Sequence, residues 1–196
     1  MKETDFTDKQ YLSEIDGYLR STLSPGRYEH SVSTANTCRE LAGMFSYDRD
    51  KAYFTGLVHD IAREYSDEKQ LETAVLAGIR PEGIYLEKPM LLHGRAGAYI
   101  LEKKFGIEDR EILDAIRVHT TGDEGMSILG KILFIADYIE PKRRHITPAF
   151  LRKLERQPLD AMVAIVLNGT IEHLRKEGRY VAPEALKLLR ELEHEE

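Results

Sequence analysis

Cysteine is nearly absent from this 196-residue sequence: Cys38 stands alone, so no intramolecular disulfide is available and the fold must rest on its core. A lone thiol in a chain of this size points to a reducing compartment, and the cytoplasm is the expected location. Long apolar runs are missing as well. ILFIADYI and MVAIVLNG have the length of core segments and fall well short of the roughly 20 residues a membrane helix needs, so no membrane association is expected. The opening MKETDFTDKQ is polar and holds no signal-peptide hydrophobic stretch. Positive charge is in deficit: 28 Lys and Arg against 34 Asp and Glu leave a net charge of −6. That is the wrong sign for a general phosphate-neutralising surface, and a nucleic-acid polymer is not the expected partner. Glycine (14) and proline (7) are too sparse for a low-complexity linker, and no internal repeat is visible. No segment alternates cleanly enough to read as a strand.

What is present is helical periodicity. With 42% apolar residues, a chain of this length can bury roughly 70% of its unfolded surface. The apolar spacing predicts helices over about 8–22, 27–45, 48–63, 67–77, 90–105, 109–120, 125–140, 148–177 and 183–194. Ser24-Pro25-Gly26 punctuates the first boundary; Gly78, Pro81 and Gly83 separate the fourth and fifth helices. Gly106 follows a lysine pair as a C-terminal cap, Pro141 closes the 125–140 helix, and Pro183 suits a first turn. The expected fold class is an all-α helical bundle, a single domain over 1–196.

Several ionisable residues fall on stripes that should be apolar. His119 follows Ile112, Ala115 and Ile116; His93 precedes Ala96, Gly97 and Ile100; His59 stacks with Ala52, Thr55 and Gly56. His30 precedes Thr34 and Thr37, Asp137 follows Leu133, and Asp60 sits beside His59. A lone histidine on an apolar face is usually a satisfied core residue. Four histidines and two aspartates turned inward on five helices are another matter, because each buried ionisable group without a strong partner costs several kcal/mol. A metal ion removes that cost. Imidazole nitrogen with carboxylate oxygen suits a borderline divalent ion such as iron, manganese, cobalt or zinc. No cysteine-rich pattern competes, which argues against a structural zinc site.

The order H…HD…H…H…D on a helical bundle resembles the HD-domain metal-dependent phosphohydrolases. The strings RYEHSVSTANTCRELA, TGLVHDIARE, LLHGRAGAYILEKKFGIED, EILDAIRVHTTG and GKILFIADYIEPKRR are similar to the YqeK-type symmetrical diadenosine tetraphosphatases, over roughly residues 18 to 190. The resemblance implies an all-α HD-domain bundle, with a metal-site core over about 27–140 and C-terminal helices over about 148–194. It implies bound iron, as one or two ions, with manganese, cobalt or zinc as alternatives. It also implies cleavage of diadenosine tetraphosphate into two ADP by a metal-bound hydroxide attacking phosphorus. The alternatives are another HD phosphohydrolase, acting on a deoxynucleotide or an alarmone, and an HD protein that senses a nucleotide without turnover. The partner is in each case a small dinucleoside polyphosphate or nucleotide, and a homodimer is compatible with such a bundle.

By the same resemblance His30, His59, Asp60 and Asp137 hold the main metal, while His93 and His119 bind a second metal, with Asp60 bridging, or contact phosphate. A substrate with four phosphates needs positive charge around it. Arg27 lies three residues before His30, Arg63 four after His59, and Arg143 just past the helix of Asp137; these, with Thr120, are the expected phosphate contacts, and Lys142 and Arg144 stand beside them. Two strings depart from the family pattern. Arg63 stands where the family has lysine, and VAPEALKLLR, residues 181 to 190, stands where the family has a string like IHPxTxEARN. Tyr180, Val181 and Pro183 are the expected base contacts, with Tyr138 as another stacking candidate. His145, His173 and His194 lack any such support, and Cys38 reads as a packing residue.

Overall fold

The structure, a computed structural model, describes residues 8–143 and 146–194. Among them are eleven α-helices and no strand, in agreement with the all-α reading. The helices are α1 (Lys9–Thr22), α2 (Pro25–Met44), α3 (Arg49–Val58), α4 (Asp67–Leu76), the single turn α5 (Ile84–Glu87), α6 (His93–Phe105), α7 (Arg110–Val118), α8 (Ile128–Ile139), α9 (Pro148–Leu154), α10 (Leu159–Lys176) and α11 (Pro183–His194). A 3-10 turn, Pro89–Leu92, leads into α6. Among the described residues no helix is long and apolar enough to cross a membrane.

Local chemistry sets most helix starts. Asp48, Asp109 and Ser127 each stand at an N-cap and accept backbone N–H groups of the first turns of α3, α7 and α8. Pro25 and Pro148 occupy first-turn positions, where a missing N–H is harmless. Gly106 takes the left-handed conformation that ends α6.

Two expected helices end differently. The 48–63 helix stops at Val58, and the residues after it fold as successive turns with i→i+3 bonds, among them Ile61 N–H to Val58 and Arg63 N–H to Asp60. The 148–177 helix is two helices. Pro158 brings no N–H, and its ring disfavours helical backbone at Gln157, so α9 ends and α10 starts afresh at Leu159.

The core is one hydrophobic cluster that runs from Ile15 in α1 to Leu192 in α11. At its centre lies α8, packed against α2, α3, α7 and α10 and buried nearly all round through Leu129, Ile132, Leu133, Ile135 and Ala136. The long helix α2 lies against α3, and Gly56 permits that approach: a Cβ there would sit 2.7 Å from Ala35 Cα and 2.9 Å from Cys38 Sγ. Cys38 is itself fully buried, as expected of a packing residue, and burial pushes its thiol pKa up. Gly56→Ala is expected to force these two backbones apart and destabilise the fold by about 1–3 kcal/mol. Thermal unfolding checks it, at about 2–4 °C in Tm per kcal/mol for a domain of this size.

Candidate metal centre

Six side chains from five parts of the chain meet at one end of α8. His30 comes from α2; His59 and Asp60 follow the last residue of α3; His93 opens α6; His119 follows α7; Asp137 is in the last turn of α8. These are the six residues the apolar stripes single out, and the fold brings all of them together. Gly94 lets α6 approach α7 closely, since a Cβ there would lie 2.6 Å from the Ile116 carbonyl oxygen.

Three of the histidines are oriented in the same way. His59, His93 and His119 each place Nδ1 2.7 Å from the carbonyl oxygen three residues earlier, that of Gly56, Met90 and Ile116 respectively. Donation from Nδ1 to these carbonyls leaves each Nε2 a bare lone pair aimed into the site. His30 turns its Nδ1 to the Glu140 carboxylate, 3.1 Å away, with the same result.

The lone pairs face other electron-rich atoms. His93 Nε2 lies 3.0 Å from His119 Nε2 and 3.1 Å from Asp60 Oδ1. His30 Nε2 lies 3.0 Å from Asp137 Oδ1, and His59 Nε2 lies 3.4 Å from Asp60 Oδ2. Both His30 Nε2 and His59 Nε2 are buried and make no hydrogen bond among the described residues. Such a set repels itself unless protons or a cation intervene. Donors about 2.1 Å from one ion, at angles between 90° and 120°, are about 3.0–3.6 Å from one another. The observed separations fall close to that range, so the residues fit a divalent metal. Two overlapping donor groups are present, His30–His59–Asp60 and Asp60–His93–His119, with Asp60 common to both.

Charge in the site is ordered by the two aspartates. Burial alone would raise the Asp60 pKa, but His59, His119 and His93 outweigh it and hold the carboxyl well below the usual range. Asp137 behaves likewise: burial is outweighed by His30, His59 and Arg143. For His59, burial lowers the pKa while Asp60 and Asp137 raise it further, so the net shift is upward. A metal ion satisfies the same attraction and displaces the proton. The His119 pKa is depressed, by burial first and then by the neighbouring His93 and His59, which favours the neutral imidazole a metal needs.

The expected phosphate contacts surround this centre by different routes. Arg27 reaches across from α2 to bond Asp60 Oδ2 at 2.9 Å. Arg143 bonds both the carbonyl and the carboxylate of Asp137. Thr120 Oγ1 lies 3.3 Å from His93 Nε2. Arg63 is near, but not by helical phase, since α3 ends before it; its place comes from the turn that follows His59. Arg63 makes no side-chain hydrogen bond or ion pair among the described residues, and burial lowers its pKa against the opposing pull of Asp60. Lys142 pairs with Glu29 away from the centre. Arg144 and His145 lie outside the described residues.

A cavity of about 460 Å³ opens beside the centre. His119, Thr120, Asp137 and Arg143 line its metal end, and Phe134, Tyr138, Val166, Gly169, Thr170 and His173 line the rest. His173, set aside in the sequence reading, therefore borders the site, and Tyr138 does too. Tyr180, Val181 and Pro183 are not among the lining residues; they lie where the chain enters α11, with Tyr180 exposed.

Glu140 is a further buried residue of this centre, not singled out from the sequence. It is 2% exposed, accepts from His30 through Oε1, and accepts the Lys142 backbone N–H through Oε2 at 2.8 Å. Its spacing of three from Asp137, one turn along the same helix face, was the available signal.

Comparison with known proteins agrees with this geometry. The HD domain family model matches residues 27–142. The symmetrical bis(5'-nucleosyl)-tetraphosphatase of Halalkalibacterium halodurans is 33% identical over 174 residues, 89% of this chain and 92% of that protein. The protein of the same name from Bacillus subtilis is 33% identical over 166 residues, 85% of this chain and 89% of its own length. A crystal structure from Clostridium acetobutylicum, described as an HD superfamily hydrolase involved in NAD metabolism, superposes with a TM-score of 0.89 at 34% identity, covering 94% of this chain and 98% of that one. The six inward residues, the all-α frame around them and these near full-length likenesses lead to one conclusion: the chain belongs to the HD-domain family and, within it, to the group of the symmetrical bis(5'-nucleosyl)-tetraphosphatases.

Proposed function

We propose that this protein is a metal-dependent hydrolase that cleaves diadenosine tetraphosphate symmetrically. The balance is one dinucleotide plus one water giving two ADP, with the bridging oxygen between the inner phosphorus atoms leaving on one product. The observation that carries the reading is the pair of buried donor groups sharing Asp60, in a chain whose full-length relatives bear that activity in their names.

His30, His59, Asp60 and Asp137 would hold the main ion, and His93 and His119, with Asp60 bridging, a weaker second ion or a substrate phosphate. When bound, the divalent ion supplies Lewis acidity to a phosphoryl oxygen and makes water acidic enough to ionise near neutral pH. The protein's own work is orientation and charge. Glu140 and the three carbonyls aim the imidazoles. Arg63, with no side-chain partner among the described residues, is suited to accept a phosphate directly, whereas Arg27 and Arg143 offer the N–H groups that Asp60 and Asp137 leave over. Thr120 offers a hydroxyl beside His93. Together these cations offset the charge that grows on the leaving ADP. The base contacts at Tyr180, Val181 and Pro183 stay part of the reading, for a nucleoside lying toward α11.

Iron is the proposed metal, as the family resemblance implies; the imidazole and carboxylate donor set suits it and suits manganese, cobalt or zinc as well. A cytoplasmic location accords with the single buried thiol. A homodimer accords with the exposed Val75, Leu76, Leu86 and Met90 on the neighbouring α4, α5 and 3-10 turn.

Incubation of the iron-loaded protein with diadenosine tetraphosphate, followed by ion-exchange separation, tests the central reaction. ADP as sole product is expected. AMP with ATP would place the attack on the wrong phosphorus, and no turnover of this substrate while other nucleotides are cleaved would favour a different HD phosphohydrolase.

A further inference from the structure

The cavity beside the metal centre has two chemically different ends. At the metal end are His119, Thr120 and Arg143, which suit phosphate, and the carboxylate of Asp137, which suits the metal. Away from it the lining turns apolar and aromatic: Phe134 and Val166 are buried at 7% and 1% exposure, Tyr138 from α8 forms a wall, and His173 stands at the exposed rim on α10. A volume of about 460 Å³ lies within the usual range for small-molecule sites and is ample for one nucleoside.

The polar groups in that apolar end are few and defined. The Thr170 hydroxyl donates to the Val166 carbonyl at 2.9 Å, so toward a ligand its oxygen is an acceptor. The His173 imidazole adds a second polar group at the rim. Flat aromatic surface, an apolar floor and edge groups able to meet ring nitrogens or an exocyclic amine are what a nucleobase needs.

The geometry points to this α8–α10 cleft as a nucleoside subsite, which takes the base of one nucleoside 5'-phosphate half of the substrate while its phosphates lie at the metal end. Thr170 and His173 then help determine specificity without belonging to the metal site. The inference rests on the hydrolase reading for the identity of the substrate, but its test does not need turnover.

AMP and ribose 5-phosphate differ only by the adenine, so their affinities isolate the base. Calorimetric titration of each into the manganese-loaded protein is the measurement. The wild type is expected to bind AMP about ten- to hundredfold more tightly than ribose 5-phosphate. Thr170→Trp, which fills the cleft from a half-buried position on α10, is expected to remove that difference while leaving ribose 5-phosphate affinity within about twofold. Equal affinities in the wild type overturn the inference. So does a folded Thr170→Trp protein that still prefers AMP, or one in which both ligands weaken together. Should Thr170→Trp not fold, the exposed His173→Ala decides: a loss of AMP affinity of about threefold or more supports the subsite, and no change overturns it. Failure of the hydrolase reading shows separately, as absent or asymmetric cleavage of diadenosine tetraphosphate.

Discussion

Asp60→Asn is expected to abolish metal binding and turnover together while leaving the helical bundle folded. Asp60 is the one side chain shared by both donor groups, with Oδ1 facing His93 and His119 and Oδ2 facing His59, His30 and Arg27. Asparagine keeps the shape but replaces one carboxylate oxygen with an N–H donor. It also removes the negative charge that balances Arg27 and the ion. Turnover should fall by about 10³-fold or more, the scale at which transition-state charge stabilisation is lost. Removing one partner of a buried ion pair leaves Arg27 and the histidines without their counter-charge, so some stability should also be lost in the absence of metal. The readout is therefore twofold. Added metal should raise the Tm of the wild type, because a ligand that binds only the folded state stabilises it. In Asp60→Asn that rise should vanish, and the Tm measured in chelator should itself be somewhat lower, because Arg27 and His59 lose their counter-charge. A purely structural Asp60 would give a lower Tm in chelator with the metal-induced rise unchanged.

Glu140→Ala should cost about ten- to hundredfold in metal affinity without touching a metal ligand, the usual penalty for removing the group that orients a ligating histidine. One carboxylate oxygen holds His30 with Nε2 inward; the other holds the Lys142 N–H at the end of α8. Burial raises the Glu140 pKa, but the bonds from Lys142, Ser33 and His30 outweigh it and keep the group ionised. Removing it frees the His30 ring to flip and loosens the turn that carries Arg143. Chelator competition with a metal indicator gives the affinity directly. Glu140→Gln, which keeps an acceptor for His30 but turns an amide N–H toward one of the two donors, should fall between wild type and Glu140→Ala. Equal affinity in all three would leave Glu140 with only a packing role.

The metal centre was legible in the sequence because its residues break patterns. His119 interrupts the stripe of Ile112, Ala115 and Ile116, all of which are buried, and His93 opens a helix face made of Ala96 and Gly97. A histidine among such neighbours must either be satisfied or bind something, and four histidines with two aspartates at once favour the second. What escaped the reading depends on contacts between distant elements. Glu140 meets His30 across 110 positions of sequence. His173 sits on the polar side of α10 and borders the cavity only because α10 packs on α8. Arg63 reaches the site through the turn after His59 and not by helical phase, since the helix that would align the two ends at Val58. The break at Pro158 was written in the sequence, but the apolar period on both sides of it is in phase enough to read as one helix.

The most direct test of the account is where a metal ion binds. Crystals grown anaerobically with ferrous iron, with diffraction recorded at the iron edge, would give an anomalous difference map. The account predicts a peak about 2.0–2.3 Å from His30 Nε2, His59 Nε2, one Asp60 oxygen and one Asp137 oxygen. Protein that carries iron and turns over, yet shows no peak among these four residues, would contradict it.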